Sequence, residues 1–202
     1  MLGWRSSHAG SFHSHATLLA ALFSAVLLGA VNTFGDFLWA GLSLRHRMAY
    51  GLVHGAIICL CIGALVGWRA RQPVTGIATG PVIGLLAAGV FYLLAPWFRY
   101  YAMFPAWMFF WICFAVLQRF LTRERAWGPA IARGLVAAIV SGLVFYAISG
   151  IWTRPPPGGP NYLYNFGAWV AAFFPGFAAL FTAAPARATA ASGSNARDSR
   201  LS

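Results

Sequence analysis

The sequence predicts an all-α, polytopic membrane protein whose six transmembrane helices form a compact bundle. Three observations lead there. Apolar residues make up 60% of the 202 positions and charged residues only 8%, too few ionisable groups to cover a water-facing globule of this size. Apolar stretches of about 20 residues, the length needed to cross hydrocarbon, recur six times. The basic residues are all arginines and gather in alternate loops between those stretches.

The spans are expected near 17–41, 49–68, 74–96, 103–121, 130–152 and 162–182. Residues 17–31 alone are short enough for the core of a signal peptide. Phe34, Phe37, Leu38 and Trp39 continue the apolar pattern, however, and a single arginine precedes it, so a retained first helix is expected. Residues 1–16 form an N-terminal cytoplasmic arm, 17–182 the membrane domain, and 183–202 a tail of Ala, Ser, Gly, Asn and Arg expected to be disordered.

Ten of the fourteen arginines fall in the N-terminal arm, the second and fourth loops and the tail; Arg45, Arg47, Arg99 and Arg154 occupy the other side. Positive charge resists translocation, so both termini are expected in the cytoplasm, and a bacterial plasma membrane is the expected location. The high pI admits a nucleic-acid binder, but the arginines separate apolar runs instead of covering a solvated face, so nucleic acid is not an expected partner. Without lysine there is no Schiff-base nucleophile. Cys59, Cys61 and Cys113 lie within apolar runs without ligand spacing and read as reduced, buried thiols.

Glycines recur at four-residue spacing: Gly51 and Gly55, Gly63 and Gly67, then Gly76, Gly80 and Gly84. Such ridges let helix backbones approach closely in lipid; here they predict tight packing of helices two and three and leave a homo-oligomer open. Polar groups inside spans cost free energy unless paired, which makes them markers of function. Asn32 and Asp36 share one face of helix one, and Asp36 is the sole acid within a span. His54 and Arg99 fall at the same level, so Asp36, His54 and Arg99 form either a proton-handling or headgroup-binding cluster or an ion pair that holds three helices in register.

Catalytic means are scarce. No paired carboxylates and no Cys beside a His occur, so neither catalytic residues nor a cofactor is expected. His8, His13 and His15 lack carboxylate or thiolate company and read as a polar lead-in, not a metal site.

Nine tryptophans are present, and Trp39, Trp68, Trp97, Trp127 and Trp152 mark span ends, as in an aromatic belt. Trp107, Trp111 and Trp169 lie deeper and need partners for their ring nitrogens; they fit either packing or the wall of an apolar cavity. Three consecutive prolines, Pro155 to Pro157, make the fifth loop a stiff connection. Pro175 removes a backbone donor within span six and frees a carbonyl that some other group must satisfy.

Over residues 143–176 the chain resembles the Insig family, six-span regulators of sterol metabolism. The resemblance lies in Leu143-Val144-Phe145 at the end of span five, Pro160-Asn161, Tyr162-Leu163-Tyr164, Trp169 and Phe173-Phe174 before a glycine. It implies a bundle enclosing a lipid-shaped cavity, with a diacylglycerol-like or isoprenoid occupant in a bacterial member. Two features depart from the family: Gln118 precedes Arg119 where an aspartate serves partner recognition, and no lysine exists to mark the chain for degradation.

The expected function is therefore non-catalytic binding of a lipid or sterol-like molecule, with a regulatory role left open, in a cavity bounded by helices one to five. Asn32, Asp36, His54, Phe91, Phe145, Tyr146 and Trp169 are the candidate ligand contacts. The competing expectation is a small proton-coupled transporter or channel using Asp36 and His54. A lipid-modifying enzyme would need a nucleophile or metal set that these residues do not supply.

Overall fold

The computed structural model describes residues 7–42, 47–153 and 161–182. Six α-helices follow one another: α1 (Ser7–Leu42), α2 (Arg47–Arg69), α3 (Pro73–Phe98), α4 (Met103–Thr122), α5 (Trp127–Thr153) and α6 (Tyr162–Phe181), with one 3₁₀ turn (Arg99–Ala102) between α3 and α4. Each is long and apolar enough to span a membrane, and no strand occurs among the described residues. Five expected spans lie inside an observed helix and the sixth ends one residue early; α1 starts at Ser7, while its span-capable stretch is His15–Leu38. The protein is an integral, multi-pass membrane protein.

The helix boundaries follow local chemistry. Pro73 opens α3 at a position where the missing N–H costs nothing. The Asn161 side chain caps α6 by accepting from the Tyr164 amide at 3.0 Å. Arg123 takes the left-handed conformation that ends α4, and its amide turns back to the Arg119 and Phe120 carbonyls. The Pro155–Pro160 loop and the 183–202 tail lie outside the described residues.

In the bundle α2 packs on α3, α1 on α6, α4 on α5, α5 on α6 and α3 on α4, while α1 and α2 touch only slightly. Glycine drives the α2/α3 pairing. A Cβ on Gly76 would collide with the Gly63 carbonyl, one on Gly80 with the Cys59 carbonyl, and one on Gly84 with the Gly55 carbonyl, so the backbones sit as close as helices can. The ridge that left an oligomer open is thus occupied within the chain.

Large apolar side chains point outward along every helix, among them Leu19, Phe23, Leu86, Leu143 and Leu163. Water would penalise that surface, whereas lipid does not. Trp68 and Trp97 are 78% and 71% exposed at helix ends, where indoles sit at the headgroup boundary.

At one end of the bundle a single cation joins three helices. Arg69, ending α2, donates to the carbonyl of Phe181, the last residue of α6, at 2.8 Å and to Thr17 Oγ1 of α1 at 3.3 Å; its guanidinium also lies 4.7 Å from the Phe181 ring centroid. The start of the span-capable stretch of α1 and the end of α6 therefore lie at the same end of the bundle. Glu124 and Arg133, an ion pair across the α4–α5 turn, lie near the same end, with Arg119 stacked 3.6 Å over Trp127.

Candidate functional site

A cavity of about 250 Å³ lies in the opposite half of the bundle. Five helices surround it, with Asn32 contributed by α1. α2 presents Tyr50, Gly51, His54, Gly55 and Ile58; α3 presents Gly84, Ala88, Phe91 and Tyr92; α4 presents Ala106, Trp107 and Phe110; α6 presents Trp169 and Phe173. Among the described residues the wall has no arginine or carboxylate; apart from Asn32, His54 and the two tyrosine hydroxyls it is apolar and aromatic. Small residues let α2 and α3 meet along one side of the space: a Cβ on Gly55 or Gly84 would strike the facing backbone and one on Gly51 the Tyr92 hydroxyl, while Ala88 keeps the α3 wall low.

The aromatic side of the wall is held by hydrogen bonds. Trp107 and Trp111, four apart on α4, both donate their indole N–H to Ser141 Oγ of α5, at 2.8 and 3.1 Å. Ser141 donates in turn to the Ala172 carbonyl of α6 at 2.5 Å. That carbonyl is the neighbour of Ala171's, the one Pro175 deprives of its helical donor. Gly176 leaves room for the Trp111 indole, which a Cβ there would strike. Trp107 stacks with Phe145 (centroids 4.8 Å apart) and with Trp169 (6.2 Å), and Trp169 stacks on Phe173 (5.8 Å).

The candidate residues separate into two groups. Asn32, His54, Phe91 and Trp169 line the cavity. Asp36, Phe145 and Tyr146 support it from outside. Asp36 Oδ2 accepts from Asn165 Nδ2 at 2.8 Å and from Trp169 Nε1 at 2.9 Å, so the acid of α1 fixes one cavity-lining indole of α6. Phe145 lies behind Trp107 and Trp169. Tyr146 packs on Phe104 and Tyr101 and donates to the Tyr101 carbonyl at 3.2 Å.

The structure corrects two expectations. Helix six, not helix five, closes the cavity, because α1 packs against α6 and turns Trp169 and Phe173 inward. Asp36, His54 and Arg99 do not form an ionic cluster. Arg99 is exposed beyond the end of α3, and the ion pair among the described residues is Glu124–Arg133. His54 instead stacks on Tyr50, with centroids 5.4 Å apart and planes 16° apart, and lies against Gly35; Tyr50 Oη donates to the Gly35 carbonyl at 2.6 Å. This contact pins the slight α1/α2 seam beside the cavity, as Arg69 pins its far end.

Asn32 is the polar group of most interest. It is wholly buried, and its amide nitrogen donates to the Leu28 carbonyl one turn back at 3.0 Å. That bond fixes which way the amide faces, and its Oδ1 has no hydrogen-bond partner among the described residues. Sequence reasoning missed the role of Ser141, since one hydroxyl in an apolar span usually bonds its own helix. It also missed Arg69, which reads as an ordinary loop charge.

Among the described residues no three His, Cys, Asp or Glu side chains gather as a metal site. No protein-family model, curated protein or solved structure matches the chain.

Proposed function

We propose that this protein binds a lipid or sterol-like molecule in the cavity between α1, α2, α3, α4 and α6, without catalysing a reaction, and serves a regulatory role. The observation that carries the reading is an apolar, aromatic-walled space inside a membrane bundle, bordered by the close α2/α3 glycine seam and rigidified by the Trp107–Ser141–Trp111 hydrogen bonds. A soluble polar substrate has no partner on such a wall, whereas an acyl or polycyclic chain gains from every contact. About 250 Å³ is slightly below the usual range for sites that enclose a drug-sized molecule, so the ligand is held in part, with its remainder reaching bulk lipid.

The arginine distribution supports cytoplasmic termini in a bacterial plasma membrane, and with that orientation the cavity belongs to the leaflet away from the cytoplasm. The motif resemblance over residues 143–176 supports an Insig-like protein, and Asn161, standing at the position of an acid in that motif, caps α6. The transporter reading finds less support, since the neutral donors Asn165 and Trp169 hold Asp36 and no described lining residue is an acid.

Native mass spectrometry of the protein released from lipid nanodiscs tests the proposal. The expected result is retention of one lipid per chain, lost in Ala88→Phe, which fills the cavity. An unliganded chain in every preparation would overturn it.

A further inference from the structure

Building on the lipid-binding reading, we infer that the ligand is a neutral lipid carrying a hydroxyl, and that Asn32 Oδ1 is the acceptor of its proton. Asn32 is wholly buried, lines the cavity and spends its nitrogen on the Leu28 carbonyl, which leaves the oxygen as an acceptor without a partner. A buried amide oxygen in this state costs free energy that an incoming O–H group removes. Ethers, esters and hydrocarbons bring no donor and leave the cost in place.

The remaining wall decides the charge of the headgroup. His54 and Tyr50, packed face to face, are polar side chains that α2 adds to the same wall, and no arginine is among the described lining residues. A phosphate would enter with at least one negative charge and meet no fixed cation among the described lining residues, a poor exchange in a low-dielectric site. The same geometry admits an isoprenoid alcohol, a sterol or a diacylglycerol, whose shared chemistry is one free hydroxyl on an apolar body.

Farnesol, farnesyl methyl ether and farnesyl phosphate share one chain and differ only at the head, so their binding to the full-length protein in nanodiscs reads the head alone. Farnesol is expected to bind about tenfold more tightly than the ether, the worth of one net hydrogen bond, and farnesyl phosphate more weakly than either. In Asn32→Leu the alcohol and ether should become equal while the ether keeps its wild-type affinity. Equal affinity of alcohol and ether for the wild-type protein, or preference for the phosphate, overturns the inference and leaves the cavity reading standing. Failure of all three to bind, with no lipid retained in mass spectrometry, overturns both. The wild-type comparison stands whether or not the variant folds.

Discussion

Trp169 of α6 donates its indole N–H to Asp36 of α1 across 2.9 Å, so the sole acid within a span orients an aromatic ring of the cavity wall. Asn165, one turn earlier on α6, adds a second donor to the same carboxylate oxygen at 2.8 Å. A half-buried acid that reads as a proton carrier in the sequence fastens two helices together in the structure.

Replacing Asp36 separates these roles. Asp36→Ala removes the shared acceptor of the Asn165 and Trp169 N–H groups and should cost about 1–2 kcal/mol in thermal unfolding of the purified protein. Asp36→Asn keeps an oxygen acceptor and should lose less than half of that. Proton-coupled flux in liposomes that Asp36→Asn abolishes would instead establish the carrier.

Ser141→Ala strips two indoles of their acceptor and the Ala172 carbonyl of its interhelical donor. A loss of about 1–3 kcal/mol is expected, measured by thermal unfolding. Ser24→Ala is the control: Ser24 bonds only the Ala20 carbonyl of its own helix, and its removal should change stability by less than about 0.5 kcal/mol.

The α2/α3 contact predicts a contrast between two glycines of one helix. Gly80→Ala drives a methyl group into the Cys59 backbone and should destabilise by about 1–3 kcal/mol. Gly89→Ala meets no atom within 4 Å and should stay within about 1 kcal/mol of wild type. Unfolding midpoints of the two proteins in one detergent provide the comparison.

Arg69→Ala frees the Phe181 carbonyl and Thr17 together and should speed proteolysis at the end of α6. Arg69→Lys retains the charge but not the planar group that spans both acceptors and stacks on Phe181, so partial recovery is expected. Equal protease rates in Arg69→Ala and wild type would show that the clamp does not hold this end.

The spans were legible because twenty apolar residues in a row have few alternatives in water or lipid. The glycine spacing of Gly63, Gly67, Gly76 and Gly80 likewise announced a close helix pair, and Trp107, Trp111 and Trp169 announced that their ring nitrogens needed partners. What the residues could not reveal was neighbourhood. Short loops join each helix to the next, yet the helix beside α1 is α6, the last one. For that reason Asp36 meets Asn165 and Trp169 instead of Arg99, and α6 replaces α5 at the cavity. Ser141 and Arg69 stayed hidden for the same reason, since each acts through residues at least thirty positions away.

Photocrosslinking in native membranes tests the central claim most directly. A benzophenone side chain is placed at position 91, which faces the cavity, or at position 93, which is 67% exposed on the outer face of α3. The structure predicts one predominant lipid adduct from position 91 and a mixture matching the bulk membrane from position 93. The same mixture from both positions would contradict it.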